Sequence, residues 1–248
     1  MKKISIALGS IAALMLTALS ISAQTQSRED LLRQIGAKRT ELSALETTFL
    51  SPSEEDRNAY AEFLRIPDTG LIRLLPRETY DDNARKDRQT IVTRGGGAYY
   101  SFTRLTHEYG YGSDIELSQS YLSTGFAGAD YGLLTNLGDV PLESVSLETP
   151  AADIFAAYNA PTEEPKVRLE QRRFAMGADL QGISVSRRVP LKLNSTYLLR
   201  SICIEETDVL VAFRVVRIDS DKSAILLWKV LKKNPKPTMV RGSETSKN

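Results

Sequence analysis

Chemistry has few places to reside in this chain. Its 248 residues include one His, His107, and one Cys, Cys203. A His/Cys zinc site or an iron–sulfur cluster needs several such ligands, and an intrachain disulfide needs two thiols. Most His/Cys zinc sites, iron–sulfur clusters and any intrachain disulfide are therefore excluded, and no metal or cofactor is expected. His107 can act as a general acid or base when a carboxylate orients it, and Glu108 and Asp114 follow closely in the sequence. These three are the catalytic candidates. No G-x-S-x-G elbow, S-x-x-K pair or H-E-x-x-H motif accompanies them. Carboxylates offer a second route, because Glu108, Asp114, Asp130 and Asp139 lie in one stretch. Paired acids about 5–10 Å apart cleave glycosides, but the sequence sets no distance between them. None of these acids has the order of an EF-hand loop. Gly95-Gly96-Gly97 lacks both the Lys-Ser/Thr of a P-loop and the spacing of a dinucleotide fingerprint.

The acids and His107 sit in an unusual segment. Residues 94–138 hold 9 of the 15 Gly and 6 of the 10 Tyr. Glycine lets the backbone approach a ligand closely, and Tyr offers a flat apolar face with a hydroxyl. Read as a binding surface, the segment presents Arg94, Tyr99, Tyr100, Arg104, Tyr109, Tyr111, Asp130 and Tyr131 to a glycan, a small molecule or a partner protein. Read structurally, the same composition makes tight turns and bulges of a β domain with half-buried Tyr. The predicted function is therefore non-catalytic binding through this Gly/Tyr-rich surface. A cell-envelope hydrolase using His107 or a carboxylate pair is the alternative.

Elements on both sides must hold this segment in place. Lys2 and Lys3, the apolar run Ile4–Leu19 and the small residues before Gln24 have the order of a cleaved, bacterial-type export signal over residues 1–23. This places the protein in the periplasm or outside the cell, with no membrane span after cleavage. Cleavage removes two of the 32 basic residues and leaves 30 against 31 acidic ones. That balance gives no broad field for nucleic acid. Ser27 and Asp30 open a predicted helix whose stripe of Leu31, Ile35, Leu42, Leu45 and Phe49 could pack on its own domain or pair two chains as a homodimer. Ser51-Pro52-Ser53-Glu54 opens a second helix that stops at Pro67-Asp68-Thr69-Gly70.

After this helical segment, 24–66, the sequence reads as β-rich over 67–232, with a candidate break at 159–165. Asp81–Gln89 reads as a charged loop. Ala98–Thr106, Ile115–Ser123 and Leu142–Leu147 suit strands. Thr196–Ile204, Val209–Ile218 and Ala224–Leu231 are joined by short polar links, which force antiparallel neighbours. Along Val209–Val216 one face is apolar and the other mixed, as in a sheet buried mainly on one side. Cys203 reads as a buried inert thiol. Residues 233–248 read as a disordered tail. The predicted fold is thus α+β: an N-terminal helical hairpin, then a mainly antiparallel β domain ending in a three-stranded meander.

Overall fold

The computed structural model describes residues 27–79, 95–107, 109–110 and 112–240. The predicted export signal, the charged run 81–89, Arg94, Glu108, Tyr111 and residues 241–248 lie outside this description. Helix α1 (Arg28–Leu50) starts where Ser27 Oγ accepts the Asp30 N–H at 3.1 Å and donates to the Asp30 carboxylate at 2.8 Å. The chain divides into two compact units, one ending at Leu45 and one starting at Glu46. In the first, Leu31, Leu32, Ile35 and Leu45 of α1 are exposed.

The second unit opens with helix α2 (Glu54–Ala59), capped by Ser53 rather than Ser51 through a reciprocal capping box with Asp56. α2 ends sooner than its stripe suggests. Tyr60, Phe63 and Leu64 still bury apolar surface, but from a loop and a single 3₁₀ turn, Phe63–Arg65. Among the described residues eleven strands follow: β1 (Thr69–Leu74), β2 (Tyr99–Tyr100), β3 (Ile115–Ser118), β4 (Tyr121–Ser123), β5 (Tyr131–Gly138), β6 (Ala178–Leu180), β7 (Ile183–Val185), β8 (Arg188–Pro190), β9 (Thr196–Cys203), β10 (Thr207–Ile218) and β11 (Ala224–Asn234). β1-β11-β10-β9-β5 form one antiparallel sheet, and β2-β3-β4-β8 form a smaller one. β6 and β7 pair separately. The fold is α+β with antiparallel sheets, and the β9–β10–β11 meander lies in the large sheet.

Strand periodicity explains the two cores. Val209, Val211, Phe213 and Val215 of β10 point to one side, with Tyr197, Leu199 and Trp228, against Ile115, Leu117 and Leu122 of the small sheet. Leu210 and Ala212 point to the other side, with Leu198 and Ile202. There they meet Phe155 of helix α3 (Pro150–Ala157) and Val167 and Phe174 of helix α4 (Glu164–Met176). Both faces of the large sheet are therefore covered, not one. The sequence hides this because α3 is apolar nearly all round and shows no helical period, while Pro165 looks like a breaker. Pro165 in fact lies in the first turn of α4, where a missing N–H costs nothing.

Other local expectations change for similar reasons. Ile115–Ser123 is a hairpin, because Gln119 and Ser120 adopt φ of 49° and 60° and turn the chain. Ala98–Thr106 keeps only β2, then closes a turn with a Ser101–Thr106 bridge. Leu142–Ser144 is a 3₁₀ turn after Pro141. The segment beyond Lys232 is held as far as Val240. Glu205 N–H donates to the Pro237 carbonyl at 2.8 Å and Val240 N–H to the Thr162 carbonyl at 2.9 Å. Among the described residues, no helix is long and apolar enough to cross a membrane.

Candidate functional site

Adjacent strand residues point to opposite faces, and at β2 both faces are sealed. Tyr100 enters the core between the sheets, with its ring centroid 5.4 Å from Phe102 and 6.4 Å from Trp228. Tyr99 lies under Tyr109 and Phe126, at 4.8 and 5.0 Å, and its hydroxyl donates to Glu116 at 2.8 Å. Tyr131 stacks on Phe174 in the helical core. These three rings, expected at the surface, are buried; Tyr109 is half-buried. Their flat apolar area is spent on packing, which outweighs what a single hydroxyl gains from water. Arg104 is exposed and ion-paired with Glu206. Asp139 is exposed and pairs with Arg214 at 2.6 Å.

His107 is part of this packing. Its Nε2 lies 2.9 Å from the Arg73 carbonyl, which can only accept, so the nitrogen carries the proton. The ring meets Tyr100 edge-on at 4.9 Å. Burial holds its pKa below the ordinary imidazole value, and the bond to Arg73 only partly opposes this. A neutral imidazole engaged with a main-chain carbonyl is a structural group in this setting.

Asp114 and Asp130 do come together, at the end of β9. Asp114 Oδ2 accepts the Phe102 N–H at 2.7 Å, with Ser101 and Ser201 alongside. Asp130 Oδ1 accepts the Ile204 N–H at 2.9 Å. Among the described residues, each keeps one oxygen, Asp114 Oδ1 and Asp130 Oδ2, without a hydrogen-bond partner. Burial pushes Asp114 up to about 6. It pushes Asp130 up to about 7, with Asp114 and Glu206 adding repulsion. Cys203 lies beside them, its thiol raised by burial and then by both acids. These are the perturbed groups expected of a catalytic pair. Asp114, however, has no exposed surface and Asp130 is 2% exposed, so substrate has no approach to them. The cluster ties the β9–β10 turn to the loops before β3 and β5. Among the described residues, no three His, Cys, Asp or Glu side chains gather to hold a metal.

An open concavity lies on the outer side of the same segment. Gly125, Phe126 and Gly128 line one wall, and Arg168, Gln171, Arg172 and Ala175 of α4 line the other, with Arg187 between; the volume is about 360 Å³. The α4 residues recur at i, i+3, i+4 and i+7, which places them on one helix face. Gly125 is required at the loop's start. Its φ is 66°, and an added Cβ would lie 2.6 Å from the Tyr131 Cα, so the loop can fold tightly onto β5 only without a side chain. Gln171 fastens loop to helix by donating to the carbonyls of Asp130 at 2.8 Å and Gly128 at 3.2 Å. Arg187 is fixed at its backbone. Its N–H donates to the Phe174 carbonyl at 2.8 Å, and its carbonyl accepts the Thr124 N–H at 3.0 Å.

A second concavity, of about 430 Å³, lies by Glu78, Ser120 and Asp221. Its acids are already engaged, Glu78 by Ser118 and Gln119, and Asp221 by Arg73 and Ser223. Of the described residues expected to bind, none lines the arginine-walled concavity, although Phe126 and two glycines of the same Gly-rich segment do; Arg94 and Tyr111 lie outside the described residues. The signal for the rest was the Arg168/Arg172 spacing, unusable without the helix that carries it. No protein-family model, curated protein or solved structure matches the chain.

Proposed function

We propose that this is an exported, non-catalytic binding protein that takes a small ligand between the Gly125–Gly128 loop and α4. The observation that carries this reading is the open 360 Å³ concavity, which falls in the size range of small-molecule sites and combines an aromatic ring with polar groups. Asp114 and Asp130 are buried and His107 half-buried, and each is spent on internal bonds, which speaks against the hydrolase alternative.

Filling the concavity tests the reading without assuming the ligand's charge. Ala175 is exposed on α4. Calorimetric titration with a panel of neutral and charged sugars and amino acids is expected to find a binder for the mature chain, and Ala175→Trp is expected to abolish that binding with the thermal midpoint unchanged. A panel with no binder, or an Ala175→Trp protein that binds as well as wild type, defeats the proposal. The export part is tested separately: N-terminal sequencing of protein from the extracytoplasmic fraction is expected to start at Gln24. Protein found only inside the cell with Met1 retained would refute it.

A further inference from the structure

The two sides of the concavity differ in what they have left to bind with. Arg168 is already occupied. Its guanidinium donates to the Gly128 carbonyl and to Gln171, both at 3.0 Å, and stands 3.5 Å from the Glu164 carboxylate. Arg172 and Arg187 have no side-chain hydrogen bond or ion pair among the described residues. Two unengaged arginines on one small hollow are not explained by overall charge, because the chain is nearly neutral. Ala175, three residues beyond Arg172 on the same helix face, brings only a methyl group to the hollow. Opposite stands Phe126, braced by Tyr99 at 5.0 Å and Tyr109 at 6.2 Å.

From this arrangement we infer that the concavity holds an oxyanion, a phosphate, sulfate or carboxylate, between Arg172 and Arg187, with the ring that bears it resting against Phe126. The inference rests on the binding role proposed above and names its ligand class: an anionic molecule of sugar size. Guanidinium groups present paired N–H donors that match the oxygens of such anions. An aromatic face accepts the apolar side of a sugar ring. The hollow is too small for a folded partner, and two charges are too few to track a nucleic-acid backbone.

The probes are glucose 6-phosphate, glucuronate, glucose and inorganic phosphate, titrated into the mature chain at low salt. Glucose 6-phosphate or glucuronate is expected to bind and glucose is not. Binding is expected to weaken as salt rises. Arg172→Gln and Arg187→Gln are each expected to weaken it roughly tenfold, the scale of a lost charge-assisted hydrogen bond. Arg187→Lys retains the charge without the fork and is expected to fall between. Unchanged circular dichroism and thermal midpoints separate these effects from misfolding. Inorganic phosphate binding as tightly as glucose 6-phosphate would overturn the contact with Phe126. Anion binding that survives the double Arg172→Gln, Arg187→Gln change would overturn the site. If neutral ligands bind and anions do not, the oxyanion inference falls while the binding role stands; if nothing binds, both fall.

Discussion

Asp208→Ala is expected to lower the unfolding free energy by about 3–5 kcal/mol, the scale for breaking a buried ion pair from one side. Arg200 and Asp208 are each 5% exposed at the side chain and meet by two bonds, Nε to Oδ1 at 3.0 Å and an Nη to Oδ2 at 2.8 Å. The other guanidinium nitrogen of Arg200 donates to the carbonyls of Phe155 and Tyr158, at 2.7 and 2.6 Å. A cation so placed satisfies carbonyls that the end of α3 leaves open. It also fastens that helix to the middle of the large sheet. Removing Asp208 leaves a guanidinium inside the protein with two neutral acceptors and no countercharge. Urea unfolding followed by fluorescence of Trp228, the sole tryptophan, measures the loss. Replacing both members, Arg200→Met with Asp208→Leu, is expected to recover much of it, because no charge then stays buried. A cost below about 1 kcal/mol for Asp208→Ala would show that the pair is solvated and that the helical layer is not pinned there.

The second large effect is a loss of stability as pH rises from about 4 to 7. Asp114 and Asp130 hold their protons in the folded protein to about 6 and about 7, against 3.8 for a free side chain. Between those values the folded state binds more protons than the unfolded one, so stability falls with rising pH. The contribution is complete below pH 4 and gone above pH 7. Moving one carboxyl from 3.8 to about 6 corresponds to about 3 kcal/mol. The contributions of the two acids do not add, because part of the rise in Asp130 is repulsion from Asp114. Glu206, Arg104 and Cys203 are the other ionisable groups acting on this cluster. His107 works in the opposite sense. Its depressed pKa preserves stability above about 6.5 and loses it as pH falls. Asp114→Asn keeps an oxygen for the Phe102 N–H and is expected to flatten the slope between pH 5 and 7, measured by urea midpoints. A wild-type midpoint that does not move across this window, or a slope that Asp114→Asn leaves intact, would count against protonated acids in the core.

Alternation along Val209–Val216 and the short links beside it made the meander legible, because period-two burial and two tight turns have one antiparallel solution. The α+β class follows from that and from the Ser27–Asp30 cap. The helical layer was not legible. Pro150-Ala-Ala-Asp-Ile-Phe-Ala-Ala carries no polar face, and its burial depends on β9 and β10, some 50 residues later. The fate of the tyrosines was equally hidden. A Tyr in a strand looks the same in sequence whether its ring meets solvent or another ring, and Tyr99 is covered by Phe126 only because the Gly125 loop turns back onto β5. For the concavity, the Gly-rich segment was visible but its Arg partners were not. They reach it from α4 and from the β7–β8 connection, 40 to 60 residues further along.

Among the described residues β1 has a single sheet neighbour, β11, with Thr69 opposite Lys229 and Leu74 opposite Ala224. Thr69–Leu74 therefore cannot pair until Ala224–Lys229 have been synthesised. A chain from which β11 has not yet emerged cannot close this edge of its main sheet.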